Sequence, residues 1–152
     1  MERQKGFTLI ELLVTIVITG ILTAGTLSAY FKLKPKLRVK GAARQIQGDL
    51  MWARMQAVKQ NNRYRIVFLD NHQYQILDDD DNNGTETAGE WIATKDIQTK
   101  YGDVTFNPVP TQFPIFDPMG RLYWPIGITI NLENSSGIET VRVASTGRVK
   151  TD

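Results

Sequence analysis

Residues 12–31 are twenty consecutive positions without a formal charge. A helix of that length rises about 30 Å, the thickness of a bilayer's hydrocarbon core. Such a run is too long and too apolar to lie on the surface of a small soluble domain. Thr15, Thr19, Thr23 and Thr26 can return their hydroxyl bonds to the preceding turn, and Gly20 and Gly25 permit close approach of another helix. A secretory signal would have a shorter apolar region ending in an A-x-A-like site. The residues near Ser28 match that pattern poorly. A plain anchor leaves Glu11 unexplained, because a charged side chain costs about 2.5–3.5 kcal/mol near a bilayer centre and less toward its edge.

The rest of the 152-residue chain suits one small domain with a modest core. The formal net charge of +2 hides an uneven distribution. Residues 32–59 carry eight bases and one acid, Asp49, whereas residues 70–103 are clearly acidic. No cysteine is present, so there is no disulfide framework and no thiolate chemistry. A single histidine, His72, rules out a multi-histidine metal site and falls in an expected exposed turn.

After the apolar run, Pro35 lacks a backbone donor and disfavours helical geometry at Lys34, which predicts a kink or short break at 33–36. The helix then resumes. Val39, Ala42, Ala43, Ile46, Leu50, Ala53 and Ala57 recur at spacings of three and four and draw one apolar stripe, with Arg44, Gln47, Arg54 and Lys59 expected outward. Beyond Asn62 the period changes to two. Strands are expected at 64–68 and 73–77 around the turn Asp70-Asn71-His72, then near 91–93, 104–106, 113–116, 128–132, 140–143 and 147–150. The absence of alternating helices argues against a doubly wound fold.

The leader narrows the reading. Lys5-Gly6-Phe7-Thr8-Leu9-Ile10-Glu11 followed by a long apolar run resembles the class III leader shared by type IV pilins and type II secretion pseudopilins. Further on, Ala53-Arg54-Met55-Gln56-Ala57, then Phe116-Asp117-Pro118-Met119-Gly120-Arg121, then Ala144-Ser145-Thr146-Gly147-Arg148 appear in the order seen in the GspH/FimT branch of minor pseudopilins and minor pilins. Gly120 and Gly147 suit tight turns.

The resemblance implies an α+β, type IV pilin-like fold: a long N-terminal membrane helix followed by a small antiparallel β-sheet or sandwich domain. It divides the chain into a cleaved leader (1–6), a transmembrane and filament-core helix (7–31), a helical stem (32–62) and a periplasmic β-rich domain (63–152). It also implies that a prepilin peptidase cuts after Gly6 and that Phe7 is then N-methylated. Glu11 would meet the N-terminal amine of a neighbouring subunit during filament assembly. The implied location is the bacterial inner membrane, single-pass, with other pilins or pseudopilins as partners.

The most chemically loaded stretch is the acidic run 78–84. Counted from Asp79, it matches a calcium-loop pattern with Asp79, Asp81, Asn83, the Thr85 carbonyl and Glu90 as Ca2+ ligands, because hard oxygen donors two residues apart can converge on one ion. Glu86 stands where such loops carry an aliphatic, and the flanks read as strands. A solvated hairpin tip built from good turn formers explains the same residues. No nucleophile–histidine–acid set, phosphate-cradling loop or zinc spacing is evident, and the chain reads as non-enzymatic.

Two functions compete. One is a minor pseudopilin of a type II secretion system. The other is a FimT-like minor pilin serving pilus assembly or DNA binding in natural transformation. The resemblance places DNA contacts at Gly147-Arg148-Val149-Lys150, where lysine replaces the second arginine and loses its bidentate fork. Asp152 opposes those cations, so the expected binding is weak and steeply salt-dependent.

Overall fold

The computed structural model describes residues 6–83 and 89–152. They fall into a unit ending at Lys34 and a unit comprising Pro35–Asp152. One helix, α1 (Leu9–Gln60), contributes to both.

Thr8 starts α1. Its carbonyl accepts the Leu12 N–H at 3.2 Å and its hydroxyl accepts the Glu11 N–H at 3.3 Å, which satisfies donors that the first helical turn would otherwise leave open. Within the apolar stretch the hydroxyls of Thr15, Thr19, Thr23 and Thr26 donate to carbonyls three or four residues back at 2.6–2.8 Å. That satisfies their polarity inside the helix. The stretch is long and apolar enough to cross a membrane, and its most apolar window is entirely unburied.

Of the kink or short break expected at 33–36, the break does not occur: Pro35 sits inside the helix. Proline removes the N–H that would bond the Phe31 carbonyl and its ring crowds that carbonyl, but Phe31 is exposed, so water can take it. The Pro35 carbonyl itself accepts Asn134 Nδ2 at 2.8 Å.

From Pro35 onward the apolar stripe is buried as expected, with Val39, Ala42, Ala43, Ile46, Leu50, Ala53 and Ala57 each no more than 2% exposed. The small residues in it let neighbours come close. A Cβ on Gly41 would lie 2.6 Å from the Tyr101 ring.

Two four-stranded antiparallel sheets complete this unit, in the orders β3-β2-β1-β5 and β4-β6-β7-β8. The first holds β1 (Arg63–Phe68), β2 (Gln73–Asp79), β3 (Trp91–Asp96) and β5 (Ile115–Phe116). The second holds β4 (Thr105–Phe106), β6 (Ile128–Asn134), β7 (Gly137–Val143) and β8 (Val149–Thr151). All eight expected strands are present. The strand expected at 113–116 shrinks to two residues because Pro114 has no ladder donor. The last begins after Gly147 rather than at it, because that residue turns with φ +79°. A four-residue helix, α2 (Gln98–Tyr101), was not expected. Tyr64, Ile66, Tyr74, Ile76, Phe106, Phe116, Ile130, Leu132 and Val141 join the helix stripe in one core.

The single acid of the basic stem has a structural role. Asp49 accepts hydrogen bonds from the Tyr74 hydroxyl on β2 and from Lys95 Nζ on β3, and Gln45 donates to the same tyrosine at 3.2 Å. Burial, then the Asp49 contact, pushes the Tyr74 hydroxyl well above the usual tyrosine range, so it stays a donor. The lysine is over one-third exposed, and a pair of that kind contributes about 0–1 kcal/mol. The buried hydroxyl–carboxylate bond is therefore the larger stabilising part of the network, at about 1.5–3 kcal/mol.

Candidate functional site

Four places carry residues that the sequence singles out. The first is the start of α1. Gly6 and Phe7 precede the helix and are exposed, with Phe7 77% accessible. Glu11 is the third residue of α1 and lies in its first turn, where the helix dipole favours a negative charge. A cut after Gly6 would leave Phe7 and Thr8 as the only residues ahead of α1. The cap that orients Glu11 comes from Thr8 and survives that cut.

The second place is the end of β2. Carboxylate oxygens of Asp79, Asp81 and Glu90 lie within 4.8 Å of one another, with Asp79 and Glu90 buried and Asp81 exposed. Pairing of β2 with the start of β3 brings this about, since Asp78 N–H donates to the Glu90 carbonyl at 2.8 Å. Three hard, oxygen-only donors at that spacing fit a calcium-type cation. Asn83 directs its backbone N–H, at 3.0 Å, and its side-chain amide onto Asp81, and so supports that carboxylate. Thr85 lies outside the described residues.

The neighbouring acids point elsewhere. Asp78 accepts Asn62 Nδ2 at 2.7 Å and the Tyr64 hydroxyl at 2.5 Å, and Asp80 accepts the same Asn62 group at 3.1 Å. Burial, with the charges of Asp80 and Glu90, raises the Asp78 carboxyl above the usual range despite those bonds. A carboxyl raised in this way favours the fold while protonated, and that contribution is lost as pH rises through its folded-state titration. His72 lies in the β1–β2 turn, with Nδ1 3.1 Å from Asp70 and Nε2 3.7 Å from Asp96. Asp70 also accepts the His72 and Gln73 N–H groups at 2.7 Å each, which sets that turn. The expectation of a merely exposed histidine therefore needs correcting: His72 is held between two aspartates.

The third place is the C-terminal tail. Arg148 and Lys150 are exposed and line a groove whose walls include Ile128, Val143 and Arg142. Arg142 was missed in the sequence. Its outward position was legible, because Arg142 alternates with inward Val141 and Val143, but its pairing in register with Lys150 was not. Like charges facing one another across a ladder are unfavourable, so this edge suits an anion. Asp152 lies on the same edge. It pairs with Arg142 at 3.0 Å, with both side chains at least half exposed, a pair worth about 0–1 kcal/mol.

The fourth place joins the three motifs that lie far apart in the chain. Arg54, expected outward, is half-buried and donates from Nε to the Gly120 carbonyl at 2.7 Å. Gly120 and Gly147 both have positive φ, at +72° and +79°. A Cβ on Gly147 would sit 1.9 Å from the Gly120 carbonyl oxygen and 2.9 Å from Arg54 Nε. Leu122 N–H donates to the Ser145 carbonyl at 3.0 Å and closes the joint. The turn that carries Arg148 is thus held by the end of α1.

Comparison with known proteins follows the same division. A family model described as type II transport protein GspH matches residues 42–147. The prokaryotic N-terminal methylation motif matches residues 1–27. No curated protein matches the chain in sequence. Among solved structures, the type IV minor pilin FimU of Pseudomonas aeruginosa strain PAO1 is similar in fold, with TM-score 0.59 at 18% identity over 77% of this chain and 90% of that one. A second crystal form of the same pilin gives TM-score 0.56 at 19% identity over 74% and 91%.

Proposed function

Because the chain belongs to the GspH family of minor pilins and pseudopilins, we propose that it is a minor pseudopilin of a type II secretion system, a structural subunit of a short periplasmic filament. The observation that carries this reading is the match of residues 42–147 to a type II transport protein family, joined to the start of α1. The methylation motif covers residues 1–27, and Glu11 sits in the first turn of an unburied apolar helix. In this reading a prepilin peptidase cuts after Gly6 and Phe7 becomes the methylated N-terminus. The subunit waits in the inner membrane with its sheets in the periplasm. Glu11 then leaves lipid by pairing with the amine of a neighbouring subunit, because a buried carboxylate needs a partner.

The test is deletion of the gene in its host and complementation with the full chain. Loss of exoprotein secretion with surface pili intact is the expected result. Intact secretion with lost pili or lost transformation would replace it with the FimT-like alternative. The groove of Arg142, Arg148 and Lys150 favours that second reading, since three cations on one edge suit a phosphate backbone.

The carboxylates of Asp79, Asp81 and Glu90 support a bound calcium ion, with Asn83 bracing Asp81. Titration of the full chain with Ca2+ should give a binding isotherm at about 10⁻⁴–10⁻³ M, the range of extracellular modules. At about ten times that Kd, the ion should add about 1.4 kcal/mol of stability. Asp79→Ala should remove both effects, and Mg2+ should bind more weakly. A flat isotherm for the unaltered chain would leave the acidic run as a solvated turn.

A further inference from the structure

The basic stem is not one feature but two. Residues 32–40 contain five cations: Lys32, Lys34, Lys36, Arg38 and Lys40. The last two are held by the sheet-bearing unit, Arg38 against Asp103 at 3.1 Å and Lys40 against Glu139 at 3.8 Å. Among the described residues, Lys32, Lys34 and Lys36 make no ion pair, and all three are exposed. They follow directly on Tyr30 and Phe31, 55% and 66% exposed, which end the uncharged run. Lys34 Nζ lies 5.9 Å from the Tyr30 ring centroid.

We propose that Tyr30, Phe31, Lys32, Lys34 and Lys36 form a docking band for anionic phospholipid headgroups at the C-terminal end of the apolar run. This rests on the reading of residues 7–31 as a membrane span.

Three observations choose lipid over a protein surface. Aromatic rings at the end of an apolar span sit where tail and headgroup meet, and lysines just beyond them reach the phosphates with their alkyl stems still in apolar surroundings. At about 100° per residue, Lys32 and Lys34 project from nearly opposite sides of α1. A ring of charge around a helix matches a headgroup layer, which surrounds it. A groove on a single protein partner would meet only one side. Finally, Arg38 and Lys40 have carboxylate partners on the chain, whereas Lys32, Lys34 and Lys36 make no ion pair among the described residues. The band would hold the subunit at a fixed depth until assembly, each lysine adding attraction that falls off within a Debye length.

The full chain should be reconstituted into vesicles of phosphatidylcholine alone, or with one-third phosphatidylglycerol. Flotation establishes insertion. A water-soluble acetylating reagent then reads the reactivity of each lysine by mass spectrometry. At low salt, Lys32, Lys34 and Lys36 should react about fivefold more slowly in the anionic vesicles, with the difference largely gone at about 0.5 M salt. Lys59, far along the chain and exposed, should not change. Soluble glycerol 3-phosphate should give no protection in neutral vesicles. Equal rates in the two vesicles, or equal protection by glycerol phosphate, would overturn the headgroup band while leaving the span intact. A chain that floats with neither vesicle would overturn the span and the band together.

Discussion

Gly147→Ala is expected to destabilise the sheet-bearing unit by more than about 3 kcal/mol. Its Cβ would lie 1.9 Å from the Gly120 carbonyl oxygen, a backbone atom that cannot swing aside as a side chain can. Moving either turn would cost the Arg54 bond to that same oxygen and leave the carbonyl unpaired, about 1–3 kcal/mol by itself. The left-handed conformation at φ +79° adds about another 1 kcal/mol for alanine. The sum exceeds about 3 kcal/mol, against a total of about 5–15 kcal/mol for an ordinary domain. Thermal unfolding of the full chain in detergent should show a Tm lowered by at least about 10 °C. Gly48→Ala is the control. That glycine lies inside α1 with no atom within 4 Å of its built Cβ, so alanine there should be neutral or stabilising by up to about 1 kcal/mol. A Gly147→Ala chain as stable as the control would show that the joint of Arg54, Gly120 and Gly147 does not hold the fold.

Glu11→Leu is expected to abolish incorporation into the filament while leaving the subunit more firmly in the membrane. Removing a charge from the apolar segment relieves up to about 3 kcal/mol of insertion cost, roughly a hundredfold in partitioning. The same change deletes the group that would meet the amine of a neighbour. Pull-down of the sheared filament, with quantitative immunoblotting of membranes, separates the two effects. Leader processing should continue, since Gly6 and Phe7 are untouched and the Thr8 hydroxyl still meets the residue 11 backbone N–H. Normal incorporation of Glu11→Leu would remove Glu11 from assembly and leave it a helix-start residue favoured by the dipole.

Much of the fold was legible because its signals are local. The apolar stripe from Val39 to Ala57 and the change of period after Asn62 depend only on spacing, and the core uses those residues. Two local rules misled. Pro35 reads as a breaker, yet α1 continues through it where the carbonyl it strands is exposed to water. Arg54 reads as an outward cation, yet a carbonyl 66 residues later takes its guanidinium.

The candidate sites divide the same way. Gly6, Phe7 and Glu11 form one contiguous motif, so sequence names them together. The carboxylates of Asp79, Asp81 and Glu90 were named by spacing, but only the pairing of β2 with β3 brings Glu90 against the others. Arg142 joined Arg148 and Lys150 only when β7 and β8 were placed in register.

By itself, the sequence determined the leader, the long apolar helix, the buried stripe and the eight strands, because each is encoded in residues a few positions apart. Tertiary structure decided the rest. It drew Asp49 against Tyr74 and Lys95, closed Arg54 on Gly120 beside Gly147, and split the basic stem into cations held by Asp103 and Glu139 and cations left to solvent. Those contacts join segments dozens of residues apart. Which of them meet is fixed by strand pairing and core packing, and no local periodicity records either.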